Sequence, residues 1–322
     1  MHAHNKYILK YPTGLLCLAS IALIFNACST GTNPNVKTPS EQDITLASSV
    51  VSQTLASNSD GLMSSMYDLT GTITPNGFKY DDEANAQLSD DSAMDGTDHV
   101  TDNPNDNNGH NGRGNDSNFK ISYNPETGVH LIEFQRELHN KNLTKSLHLK
   151  LEYIYRDTLG IFIRFPLPSK IESIDYKGLR EGELQTKNKH TQFTRVDTLY
   201  FSGLQDKSKN LTINGSHYAK GEIQQTQGNG SEIHKKYNIH LNLVNVTVNK
   251  DSLYHNNNLE NAINGILNYD LTFHQVNDTS KVDSHLKGSI NLTGNGYALL
   301  KFVNFSKRFL INLKSGDISE NS

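Results

Sequence analysis

The sequence predicts a mainly β protein: a meandering antiparallel sheet, curved into a sandwich, half-barrel or barrel, with one N-terminal amphipathic helix packed on it. Three observations carry this. Apolar and polar residues alternate over many short runs, turn residues punctuate those runs, and one stretch alone, residues 40–69, repeats its apolar positions at helical spacing. A hydrophobic content of 35% with much Gly, Asn, Ser and Thr suits sheets with one wet face better than a parallel sheet covered on both.

The first element is an address. Gly14 to Cys28, GLLCLASIALIFNAC, holds no charge and follows a short segment carrying Lys6 and Lys10. It is shorter than the about 20 apolar residues that span a bilayer as a helix, and it suits the apolar region of a secretory signal, residues 1–27. The zone Phe25-Asn26-Ala27-Cys28 resembles the lipobox of bacterial lipoproteins. Ala27 and Cys28 match it, while Phe25 and Asn26 replace the usual Leu followed by Ala or Ser, a variant that looks like those of Bacteroidota-type bacteria. That resemblance implies cleavage before Cys28 and its acylation with palmitate-type chains; the alternative is an ordinary signal peptide cut at the same place. Cys17 lies inside the signal, so the mature chain keeps Cys28 as a lone thiol and no disulfide, an oddity that acylation removes. Two lipid chains already anchor a protein stably, so the partner implied here is a membrane. Ser29 stands where an aspartate marks inner-membrane retention in such lipoproteins, which favours the outer membrane. A periplasm-facing position is the first expectation, with the cell surface as the alternative.

Residues 28–39 read as a flexible tether rich in Gly, Asn, Thr and Pro. Ser40 is placed to cap a helix with Asp43 as its capping-box partner. Ile44, Val51, Leu55, Leu62, Met66 and Leu69 then form an apolar stripe, broken at Asn58-Ser59-Asp60-Gly61. This helix either covers a sheet or lids an apolar pocket. Residues 70–80 read as a short strand or connector. Residues 81–118 hold ten acids against the single base Arg113 and almost no apolar side chain to offset the entropy of ordering, so a disordered loop is expected. The calcium-loop pattern fails at Ala93 between Asp91 and Asp95, and again at Pro104, and His99 and His110 lack zinc-site spacing.

From 119 to 318 the chain reads as strands, with 319–322 as a tail. Leu147, Leu149, Leu151, Tyr153 and Tyr155 alternate with polar partners, as do Leu267, Tyr269, Leu271 and Phe273. The apolar set Tyr237, Ile239, Leu241, Leu243 switches parity to Val244, Val246, Val248, which a bulge or a strand crossing between sheets explains. Further strands are expected at 129–138, 160–166, 171–177, 193–202, 210–218, 285–293, 297–305 and 308–314. Asn295-Gly296 and Asn124-Pro125-Glu126-Thr127-Gly128 mark turns, and Glu181-Gly182-Glu183 reads as a hairpin. No second helix is expected between strands, and Pro166, Pro168 and the charged residues interrupt any lipid-facing band of a membrane barrel.

The runs DTLYFSG (197–203), LTING (211–215), YNIHLNLVNVTV (237–248), GILNYDLTF (265–273), KGSINLTGNGYALLKF (287–302) and FLINLKSGDI (309–318), with the helix of 40–69, resemble uncharacterised secreted lipoproteins of Bacteroidota-like bacteria. The likeness covers the last 130 or so residues plus that helix and implies no activity.

A search for chemistry finds no G-x-S-x-G elbow, P-loop, G-x-G-x-x-G or H-E-x-x-H, and no catalytic cysteine in the mature chain. No cofactor, metal site or catalytic residue is expected, and no basic patch points to nucleic acid. His148, His240 and His274 fall on polar strand faces. Asp91-Ser92-Ala93, Asp157-Thr158-Leu159, Asp197-Thr198-Leu199 and Asp251-Ser252-Leu253 match the D-[ST]-[small or aliphatic] sequon of Bacteroidota O-glycosylation, which makes Ser92, Thr158, Thr198 and Ser252 candidate glycan sites. The leading expectation is a non-enzymatic outer-membrane lipoprotein, a structural or interaction module of the envelope. The alternative is a carrier of an apolar ligand in a concave sheet lidded by residues 40–69, and the third reading is an enzyme with an unrecognised site.

Overall fold

Alternating side chains need an opposite surface to bury their apolar half, and here two helices supply it. The computed structural model describes residues 39–73, 120–228, 230–256, 258–277 and 281–321. Its twelve strands are β1 (Lys120–Tyr123), β2 (Val129–His139), β3 (Leu143–Arg156), β4 (Ser173–Thr186), β5 (Lys189–Ser202), β6 (Asn210–Thr226), β7 (Glu232–Asn249), β8 (Ile263–Asn277), β9 (Lys281–Thr293), β10 (Tyr297–Phe302), β11 (Arg308–Asn312) and β12 (Ile318–Asn321). They form one antiparallel sheet in strict sequence order, with β1 and β12 at its edges. The meander is a single curved sheet that does not close, so it is neither a sandwich nor a complete barrel.

Helix α1 (Glu41–Leu55) starts where the sequence places a cap. The Ser40 hydroxyl accepts the Asp43 N–H, and the Asp43 carboxylate accepts the Ser40 N–H, closing a capping box. A 3-10 turn (Ser57–Ser59) and a left-handed Asp60 reverse the chain into α2 (Leu62–Gly71), so the break falls on the Asn-Ser-Asp-Gly tetrapeptide. A third, short helix not expected from the sequence, α3 (Lys250–Asn256), lies in the β7–β8 connection.

Both long helices are enclosed nearly all round. Val51, Leu55, Leu62, Met63, Met66 and Leu69 are fully buried, and they share one continuous core with the inward rows Leu151/Tyr153, Ile174/Tyr176, Ile239/Leu241 and Leu267/Leu271. Each such side chain contributes roughly 1.5–3 kcal/mol by leaving water. Because every connection joins neighbouring strands, the β1–β2, β3–β4, β5–β6 and later odd connections gather at one end of the sheet. The even connections gather at the other. Helix α1 begins at the even end, where Glu41 pairs with Lys307 of the β10–β11 connection at 2.8 Å. That end is termed proximal, since the chain joins the domain there, and the odd end distal.

Several boundaries differ from the sequence reading, each for a local reason. The parity slip of β7 is a bulge: the register shifts between Leu243 and Thr247, Asn245 is left-handed, and Val244 points to solvent. Glu181-Gly182-Glu183 lies inside β4, and the chain reverses at Lys187-Asn188 instead. Residues 160–166 are not a strand; a single bridge, Arg156 to Phe162, joins them to β3. The last residues, read as a tail, form edge strand β12, and residues 70 and 71 belong to α2.

A structured apolar loop and a buried polar network

The β3–β4 connection, residues 157–172, is ordered by its own polar groups yet displays apolar ones. The Asp157 carboxylate accepts the N–H groups of Leu159 and Ile161, each at 2.9 Å. The Ile163 N–H donates to the Tyr155 carbonyl, and the Ile163 carbonyl accepts from His130 Nε2, both at 2.9 Å. Burial holds the His130 imidazole below its usual range, against the raising effect of that carbonyl, which favours the neutral ring. Gln205 Nε2 donates to the carbonyls of Pro168 and Ile171, closing the far side. Arg156 stacks 4.7 Å from the Phe162 ring, and Arg164 lies over Phe165 and Tyr123.

On this frame Leu159, Ile161, Phe165 and Leu167 are 81%, 60%, 73% and 51% exposed, with Ile121 of β1 exposed as well. Exposed apolar side chains scattered singly need no explanation, but a cluster on a pinned loop is the signature of a surface that meets something. The strand expected over 160–166 does not form, and Pro166 and Pro168, which lack an N–H for a ladder, close that stretch.

Inside the sheet the apolar core is interrupted by charge. Arg180 of β4, 2% exposed, pairs with Asp68 of α2 and lies 3.7 Å from Asp60, which Lys145 of β3 also approaches at 3.7 Å. Arg195 of β5 donates to the carbonyls of Ser59 and Gln53, at the helix break, and covers the Phe193 ring. Ser57 and Tyr67 both donate to the carboxylate of Glu260. Arg195 thereby satisfies one carbonyl in the last turn of α1 and one in the turn after it.

Burial pushes the Asp68 carboxyl up to about 6, with the Arg180 guanidinium pulling the other way. For Arg180 burial opposes the charge, but Asp68, Tyr176, Asp60 and Asp197 outweigh it, and the guanidinium stays above its usual range. Next to this pair, Ser65 of α2 donates to Asp197 of β5 at 2.6 Å, and Asp197 bonds His217 Nδ1 of β6 at 2.7 Å. These are the residue types of a nucleophilic triad in the wrong order. The carboxyl sits between hydroxyl and imidazole, so Ser65 Oγ is bonded to a carboxylate and not to the ring, and Asp197 and His217 are fully buried. A search of protein-family profiles, curated proteins and solved structures finds no match to this chain.

The other residues singled out in the sequence stand as follows. Cys28, Ser92, His99 and His110 lie outside the described residues. Thr158 is exposed on the apolar loop, Thr198 is exposed on the outward face of β5, and Ser252 is half-buried in α3 with its N–H on Asn249 Oδ1. His148 sits on the outer face between Glu133 and Glu181, at 3.3 and 3.4 Å, while His274 pairs with Asp283 and His240 is exposed. Among the described residues no group of three or more His, Cys, Asp or Glu is arranged to hold a metal, and no helix is long and apolar enough to cross a membrane. The members of the buried network are scattered singly in the sequence, and only their parity marks them: Arg180, Asp197 and His217 all fall on the inward face of their strands.

Proposed function

We propose that this chain is a non-enzymatic, outer-membrane-anchored lipoprotein, an interaction module of the bacterial envelope that docks a protein partner through its β3–β4 loop. The observation that carries the docking is the ordered loop with Leu159, Ile161, Phe165 and Leu167 in solvent. The anchor rests on the lipobox-like Phe25 to Cys28 and the lone mature cysteine. The loop lies at the end of the sheet opposite Glu41, the first residue of α1. The filled interface between helices and sheet speaks for a module over a lipid-sized carrier, since side chains occupy the concave side at the sheet's centre.

The test is photo-crosslinking in envelope preparations from a position such as Thr158, comparing the natural loop with a Phe165→Ser, Leu167→Ser variant. We expect a discrete protein adduct that the variant loses, while unfolding stability changes by no more than about 0.5 kcal/mol, as for exposed positions generally. Adducts to lipid alone, or an adduct that survives the double substitution, would remove the protein-docking reading. A free, unacylated Cys28 on the purified N-terminus would remove the anchor.

A further inference from the structure

At the proximal end, between α1 and strands β5 to β8, the packing leaves a cleft of about 180 Å³. Apolar side chains form part of its wall, Val50 from the helix and Tyr237 and Phe273 from the sheet. Polar ones form the rest. Lys235 and Gln275 stand directly opposite each other across the β7–β8 ladder, which brings an ammonium and an amide side by side, and Gln53 and Gln225 add two further amides. Among the described residues no carboxylate lines the cleft.

What these groups still lack defines what would fill the space. Gln275 is 4% exposed, and its Oε1 is buried and receives no hydrogen bond among the described residues, so the missing group is a donor. Lys235 forms no ion pair with a carboxylate among the described residues, whereas its outward neighbour Lys236 pairs with Glu222 at 3.0 Å. An ammonium has only N–H groups to offer, so the missing group is also an acceptor. Lys189 reaches the cleft too but is engaged in an interaction of its own. Burial and then Lys189 push the Lys235 ammonium below its usual range, so a further cation is unwelcome. A carboxylate would suit Lys235 and leave the Gln275 oxygen unanswered, and an ammonium would suit Gln275 and crowd Lys235. A hydroxyl donates and accepts through one oxygen and suits both.

We propose that the cleft binds a neutral hexose unit, one hydroxyl of which donates to Gln275 Oε1 and accepts from Lys235 Nζ. Further hydroxyls are matched by Gln53 and Gln225, whose amides each carry donors and an acceptor, and the carbon face of the ring meets Val50, Tyr237 and Phe273. A volume of about 180 Å³ equals that of roughly six waters at ~30 Å³ each, room for one six-membered ring with its substituents and too little for a whole phospholipid. This site is at the opposite end of the sheet from the docking loop and stands or falls separately from it.

The probes are the methyl glycosides of glucose, galactose and mannose, their 2-amino-2-deoxy counterparts and cyclohexanol, titrated calorimetrically into the mature chain. At least one neutral hexoside is expected to bind, about tenfold or more tightly than its amino counterpart and than cyclohexanol. Gln275→Met keeps the size of the side chain and removes the orphaned oxygen, so it should fold as the natural chain does and bind that hexoside about tenfold or more weakly. A second measurement uses the natural chain: the hexoside should protect Lys235 from an amine-selective reagent, read by peptide mass spectrometry, and leave the exposed Lys207 of the β5–β6 connection as reactive as before. No binding of any neutral hexoside, equal binding of the amino sugars or of cyclohexanol, undiminished binding by Gln275→Met, or full labelling of Lys235 under saturation would each overturn the assignment.

Discussion

Asp68 shows how one half-buried carboxyl can make a fold sensitive to pH. Its pKa in the folded chain, about 6, exceeds the ordinary value near 4 because burial outweighs the attraction of Arg180. The folded state consequently binds more protons than the unfolded state between about pH 4 and pH 6. The contribution of this group to stability is fully present below about pH 4 and is lost as pH rises to about 6, by roughly 2–3 kcal/mol at most. Asp68→Asn cannot titrate. Denaturant unfolding of both proteins at several pH values should therefore give a stability difference that shifts against the natural chain from pH 4 to pH 6 and is flat above. A difference that does not vary with pH would show that Asp68 has an ordinary pKa.

At the scale of the strand, the sheet bends over glycines. Gly182 faces Phe193, Gly221 faces Tyr237 and Gly288 faces Tyr269, each a directly opposed cross-strand pair with the ring lying over the missing side chain. At Gly288 an added Cβ would fall 1.9 Å from the Lys301 carbonyl oxygen and 2.5 Å from the Tyr269 hydroxyl. Gly288→Ala should thus destabilise the protein by about 1–3 kcal/mol in thermal or denaturant unfolding. A neutral result would mean that β9 and β10 can part at little cost. The same pairs explain what the sequence hid. Long alternations such as Leu147 to Tyr155 are visible as strands because apolar side chains occupy every inward position. In β4 the inward series runs Ile174, Tyr176, Gly178, Arg180, Gly182, so apolar periodicity ends early although the hydrogen-bonded ladder continues to Thr186.

At the scale of the molecule, helices and sheet depend on each other. The apolar and charged faces of α1 and α2 are covered by the strands and their connections, and the sheet's concave side is covered by those helices within one core cluster. We expect amide exchange in α1 and in β7 to lose protection at the same denaturant concentration, since neither has a stable partner without the other. Earlier loss in α1 would mean that the sheet stands alone.

The Arg180–Asp68 pairing also has a consequence in the order of synthesis. Helices α1 and α2 are complete once the chain passes Gly71, whereas β3, the first strand to bring them a charged partner, does not begin until Leu143. Chains emerge N-terminus first at about 5–20 residues per second, so the helical segment waits, uncovered, for seconds. Until those strands follow, the apolar side chains of residues 41–71 have no sheet to bury them.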